Sequence, residues 1–242
     1  NFRQRFRAWA GRPVLDLRIE IEPQIPIEDH PWHAYFGARF AWGDERAPLI
    51  RGVGSLGHLT SQMRPESPDY LELRVGKQRT TVFPMGLPFH QRQGGRMLDV
   101  VLVPGGEQET TFDLAVGLDR EYPLLTAYGL LTPTPVVRTT KGLPADRQTG
   151  WLYHLDVPNV LLTSLRPVPD SEHGVVARLV ECQGIGGTVN IRCLKDPVRA
   201  EIVNARLEPQ MEASVENDTV VLELTESELT HLLLRYGTPE GE

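Results

Sequence analysis

Apolar and polar residues alternate strictly between Val14 and Glu22. Leu15, Leu17, Ile19 and Ile21 share one side, and Asp16, Arg18, Glu20 and Glu22 share the other. A period of two over that length predicts a β-strand with one wet face. Similar short runs recur at 35–42, 70–75, 80–83, 97–103 and 110–118, and Gly, Pro, Asn or Asp punctuates nearly every gap. An antiparallel all-β fold is the economical reading. The stretch 132–150 carries Pro, Thr and Gly without a periodic apolar face and reads as a long loop or linker.

Strand patterns resume at 160–165, 175–181, 188–194, 199–204 and 219–224. Between two of them, Gly184-Ile185-Gly186-Gly187 predicts a hairpin turn, since no helix follows to form a phosphate cradle. Asn217-Asp218 predicts a second tight turn. Near the C-terminal end, Thr225-Glu226-Ser227-Glu228 has capping-box spacing, with Leu229, Leu232 and Leu233 at helical offsets. Against this, Thr230, Leu232, Leu234 and Tyr236 alternate as in a strand. The strand is preferred, because the units before it need a closing strand.

Composition adds three constraints. The 242 residues include 22 Gly and 20 Pro, roughly one residue in six against a usual ~12%, which calls for many turns. Lys and Arg number 25 against 32 Asp and Glu, a net charge of −7 that disfavours nucleic acid or an anionic membrane as the main partner. No apolar run approaches the ~20 residues of a membrane span. Two cysteines, Cys182 and Cys193, are too few for a disulfide scaffold or a zinc site, and each reads as a buried reduced thiol. Beginning at Asn1 without a charged-then-apolar leader, the sequence is expected to be a piece of something longer, which leaves the compartment open.

Two clusters are candidates for chemistry. His30-Pro31-Trp32-His33 with Tyr35 brings imidazoles and aromatic faces together, but it lacks a third ligand at metal spacing and reads better as a turn. The segment 86–99 is more distinctive: a Gly94-Gly95 turn is flanked by His90, Arg92, Arg96 and Asp99. Planar donors on one rigid loop suit sugar hydroxyls or a carboxylate. The plainer alternative is a salt bridge from Arg92 or Arg96 to Asp99 that holds the turn. No G-x-S-x-G, H-E-x-x-H or P-loop pattern occurs, so the residues alone identify no catalytic centre.

Taken in order, five segments resemble the C-terminal β region of family 38 glycoside hydrolases, the α-mannosidases. They are Phe6-Arg7-Ala8-Trp9 through Leu17, Leu87-Pro88-Phe89-His90 through Asp99, Pro158-Asn159 through Leu165, Val176 through Glu181, and Val220 through Leu232. The resemblance implies a galactose-mutarotase-like supersandwich over 1–155 and a smaller C-terminal β-sandwich over 156–242. It places the zinc ion, the aspartate nucleophile and the acid/base in an N-terminal barrel with no counterpart here. The chain would then be a non-catalytic fragment without a cofactor of its own, supporting that catalytic domain and touching carbohydrate through His90, Arg92, Arg96, Asp99 and Trp32. Two other readings stay open. One is a free-standing carbohydrate-binding module in which Trp32, Trp42 or Trp151 stacks on sugar rings. The other is a mutarotase or epimerase with His90 and either Glu107 or Glu72 as acid and base.

Overall fold

A computed structural model describes residues 1–25, 27, 30, 32–132, 136, 138, 150–168 and 173–237. The expected linker at 132–150 therefore lies almost wholly outside the described residues. The chain divides into two compact units, Asn1–Pro133 and Thr134–Glu242, and every strand pairing within them is antiparallel.

The first unit opens with β1 (Phe2–Ala8), β2 (Val14–Ile21), β3 (Tyr35–Ala41), β4 (Leu49–Val53) and β5 (Leu56–Thr60). It continues with β6 (Tyr70–Val75), β7 (Gln78–Phe83), β8 (His90–Arg92), β9 (Met97–Pro104), β10 (Thr111–Leu118) and α1 (Pro123–Leu131). A seven-stranded sheet runs β1-β2-β10-β7-β6-β4-β5, and a three-stranded sheet runs β3-β9-β8. Their facing side chains make one core. Leu17, Ile19, Leu71, Val82 and Leu114 come from the larger sheet, and Ala38, Leu98, Val100 and Leu102 from the smaller. A period of two on each strand is what lets two sheets share a core while each keeps its other face free. The helix is unannounced by the strand pattern. Pro123 pre-sets its first turn, and Leu124 and Ala127, three apart, are its buried stripe.

The second unit is one eight-stranded sheet. Its strands are β11 (Tyr153–Leu155), β12 (Val160–Pro167), β13 (Gly174–Glu181), β14 (Gly187–Cys193), β15 (Pro197–Val203), β16 (Pro209–Glu216), β17 (Thr219–Leu224) and β18 (Leu229–Tyr236). Their order is β11-β14-β17-β16-β15-β18-β13-β12. The sheet folds over its own core, which joins Leu179 and Leu232 to Val189, Ile191, Val220 and Leu222. Asn217, at φ 55°, makes the expected β16–β17 turn, and β18 is the strand its alternation predicts.

One expectation fails. The glycines at 184–187 do not make a hairpin, because β13 pairs with β12 and β18 while β14 pairs with β11 and β17. They carry the chain from one flank of the sheet to the other. Gly186, at φ 59°, is needed there because a Cβ would come within 2.8 Å of the Leu224 carbonyl oxygen. Cys182 and Cys193 are free and buried, as expected of structural thiols, and burial pushes the Cys182 thiol up to about 11. Among the described residues no helix is long and apolar enough to cross a membrane.

Glu181, at the end of β13, fixes this crossover. Its carboxylate has no exposed surface. Oε1 accepts from Asn159 Nδ2 (3.0 Å) and the Gln183 amide (2.9 Å), and Oε2 from the Gly184 (2.8 Å) and Ser227 (2.9 Å) amides. Burial alone would raise its pKa, but these four donors outweigh it and hold the carboxyl below the usual range. Glu181→Gln turns an NH2 group toward amide donors and should cost about 2–3 kcal/mol at neutral pH, read as a lower urea midpoint. A depressed native pKa stabilises above the unfolded value and is lost as pH falls through the native one. The wild-type midpoint should therefore fall more steeply than the variant's below about pH 4.5.

Candidate functional site

The outer face of the three-stranded sheet carries a row of polar residues set by strand register. Gln91 on β8 lies opposite Asp99 on β9, and Asp99 lies opposite Arg39 on β3. Arg39 grips the Asp99 carboxylate with both arms, Nε to Oδ1 at 2.7 Å and Nη2 to Oδ2 at 2.8 Å. The Tyr35 hydroxyl donates to Oδ2 at 2.7 Å and accepts from Gln93 Nε2 at 3.1 Å. Gly37 makes this possible. A Cβ there would lie 2.9 Å from the Val100 carbonyl oxygen and 3.1 Å from the Tyr35 ring, so only glycine lets that ring lie flat over the strand.

Above this floor is a cleft of about 680 Å³ whose walls include Ile25, Ile27, Trp32 and His33. Trp32 is held edge-on against Phe89, with ring centroids 5.8 Å apart, and the Arg64 guanidinium lies 5.1 Å from its ring. The His30 and His33 rings stack at 3.9 Å. Among the described residues no three His, Cys, Asp or Glu side chains are grouped to hold a metal ion.

Electrostatically the floor is closed. Burial would raise the pKa of Asp99, but the hydrogen bonds from Arg39 and Tyr35 outweigh it and keep the carboxyl below its ordinary value. Burial and the bond to Asp99 raise Tyr35. Among the described residues Asp99 is the single carboxylate lining the cleft, and both of its oxygens accept hydrogen bonds. Hydrolysis of a glycosidic bond by the usual route needs two carboxylates, one of raised pKa. Around Asp99 the described part of the cleft presents amides, a phenol and a guanidinium beside an indole.

Of the residues singled out from sequence, the structure brings Asp99, Trp32, His33 and Tyr35 into the cleft and leaves His90, Arg92 and Arg96 outside. Arg96 pairs with Glu45 at 3.4 Å, so Asp99 takes its guanidinium from Arg39 and not from either arginine of its own hairpin. Arg92 follows Gln91 on β8 and faces the opposite way. His90 is sealed inside: it has no exposed surface, and its Nε2 lies 2.9 Å from the Ser67 carbonyl oxygen. A carbonyl only accepts, so Nε2 carries the proton and the buried Nδ1 is bare, without a partner among the described residues. Its role is to anchor the 65–70 turn, out of a ligand's reach. Glu72 is buried against Arg74, and Glu107 caps an exposed turn through the Gln108 and Glu109 amides.

Arg39, Gln91 and Gln93 are the cleft residues that the sequence reading passes over. Counting outward from a Gly94-Gly95 tip gives Gln91 opposite Leu98, one residue off; the observed Gln91–Asp99 pair is centred on Gly95. Nothing local could have yielded Arg39, which comes from a strand about 60 residues earlier.

No family model matches the chain, and no curated protein matches it by sequence. Solved structures do. One is a glycosyl hydrolase family 38 protein from Enterococcus faecalis, with a TM-score of 0.71 at 12% identity over 93% of this chain and 28% of that one. Another is an α-mannosidase from Enterococcus faecalis V583, with a TM-score of 0.70 at 12% identity and the same coverages. The chain has a family 38-like fold. It spans only 28% of the length of those chains, and at such identity the likeness is one of fold.

The sealed imidazole gives a test of the site's surroundings. Burial lowers the His90 pKa to about 4. Between there and the ordinary value near 6.5, the unfolded chain takes up a proton that the native chain refuses. Stability should therefore drop by about 3 kcal/mol as pH falls through that window. By NMR, the His90 ring signals should stay unshifted from pH 7.5 to 5.5, and an ordinary midpoint near 6.5 would refute the buried placement.

Proposed function

We propose that this chain is the non-catalytic β portion of an α-mannosidase-like glycoside hydrolase, supporting a catalytic domain elsewhere in the polypeptide. The observation that carries this reading is the fold match, in which 93% of this chain corresponds to little more than a quarter of chains described as family 38 and α-mannosidase. The galactose-mutarotase-like supersandwich and the functional boundary near 155 belong to this proposal. So does a zinc-bearing barrel in the remaining portion of the polypeptide.

Strand β1 supports it. Each of its residues is exposed, Phe2 at 66% and Phe6 at 62%, and it pairs only with β2. An edge strand with large apolar side chains on show is a hazard in an isolated domain and an asset where more polypeptide covers it. The Asp99 cleft is proposed as a subsite for neutral sugar, with Trp32 as the stacking face and Gln91, Gln93, Tyr35 and Arg39 around the hydroxyls. A free-standing carbohydrate-binding module would use the same cleft and differs only in working alone.

Incubated with 4-nitrophenyl α-mannoside, with and without added zinc, the chain should show no turnover above the uncatalysed rate. Zinc-dependent turnover would overturn the reading. In a calorimetric titration with methyl α-mannoside, Trp32→Ala should weaken binding by about tenfold. Unchanged affinity would remove the cleft from the proposal while leaving the scaffold role standing.

A further inference from the structure

We infer that the second unit carries its own saccharide-binding platform on the outer face of β11, β14 and β17, beside Trp151. The sheet register builds it. Val189, Ile191 and Cys193 of β14 face the core, so Asn190 and Arg192 face out. Arg192 lies opposite His154 on β11 and opposite Thr219 on β17, which makes a row of three polar side chains across three strands. Asn190 forms the next row with Asp156, just past the end of β11. These five and Trp151 line a cleft of about 430 Å³.

The groups are held in place and leave defined valences open. Asp218 fixes Arg192 by bonds from Nε (3.2 Å) and Nη2 (2.9 Å), and the guanidinium lies 5.5 Å from the Trp151 ring. That contact backs one face of an indole that is still 44% exposed. Asn190 gives both its backbone amide (2.9 Å) and its side-chain Nδ2 (2.6 Å) to Asp156, which leaves its carbonyl oxygen as an oriented acceptor. Thr219 donates its hydroxyl proton to Asp218 at 2.9 Å, and its oxygen can still accept. His154 is exposed and makes no hydrogen bond among the described residues.

Charge selects the class of ligand. Arg192 is paired with Asp218, and Asp156 accepts from Asn190, so among the described lining residues no lysine or arginine stands unpaired for a phosphate or carboxylate. An aromatic face beside fixed neutral acceptors matches a pyranose, whose C–H face is apolar and whose rim is hydroxyl. The platform stands on this geometry alone. Only the choice of a mannose probe rests on the function proposed above.

The test is an NMR titration of the full chain with α-linked mannotriose, following indole and guanidinium N–H signals. The Trp151 and Arg192 signals should move with a millimolar Kd. Trp151→Ala should weaken that event by about tenfold, and Asn190→Ala, which leaves the aromatic support intact, by a few-fold. Trp32→Ala should leave it unchanged. Absence of any shift at Trp151, or equal affinity in Trp151→Ala or in Asn190→Ala, would overturn the platform. Shifts confined to the Asp99 cleft would overturn it while supporting the first subsite.

Discussion

A carboxylate withdrawn from water has to regain the hydrogen bonds it loses, and each unit is organised around one that does. Asp99 retains 2% of its surface and Glu181 none. Leaving either unsatisfied would cost more than most single contacts contribute, so the donors around them are constrained to one geometry. For Asp99 that constraint fixes the register of β3 against β9, and with it the floor of the cleft. For Glu181 it ties the glycine-rich crossover after β13 to the turn before β18. Glu201 with Arg199 and Arg235 is a further buried carboxylate, held by arginines that are about half exposed. Glu72, by contrast, takes one bond from Arg74 at Oε1, and its buried Oε2 has no partner among the described residues.

The same hydrogen bonding bears on what the first cleft can do. A general acid needs a carboxyl that holds its proton near neutrality, and a nucleophile needs a free oxygen lone pair aimed at the substrate. Asp99 lacks the first property, because its pKa lies below the ordinary value. Only part of its acceptor capacity is open, since Oδ1 accepts one hydrogen bond and Oδ2 two, from Arg39 and Tyr35. What remains available are the outward-facing atoms of residues already oriented by one another, which is the preorganisation that recognition needs.

Much of the strand content was legible because period-two alternation is a local property. β2, β9, β10 and β18 can be marked without knowing their neighbours, and the Asn217-Asp218 turn joins the strands it separates in sequence. Pairing is another matter. The alternation of β13 and β14 does not say that β13 lies between β12 and β18, and a four-residue glycine-rich link reads as a hairpin until the whole sheet is assembled. The same limit explains the site. Trp32 and Asp99 stand out by residue type, whereas Arg39 becomes part of the cleft only through a cross-strand contact. His90 misled for the opposite reason. It sits in a loop-like, polar stretch, yet β8 turns it inward into a space closed by Ser67.

The likeness to family 38 structures at 12% identity sharpens the distinction between fold and site. Two sequences that differ at most positions keep one fold if they keep the apolar pattern, the turn glycines and the satisfaction of buried polar groups. None of these preserves a ligand contact as such, so function has to be argued from sites. In this chain each candidate site combines a row of side chains on the outer face of a sheet with an indole from a segment outside the strands, Trp32 or Trp151. Rows of side chains there are spaced by the strand separation of about 4.8 Å and held rigid by the ladder beneath. A rigid planar array of amides and an indole can grip a sugar ring without moving. The catalytic pair of a glycosidase has different needs, two carboxylates facing each other across the bond and pushed to different pKa values. On these two faces Asp99 is already paired with Arg39, and Asp218 with Arg192.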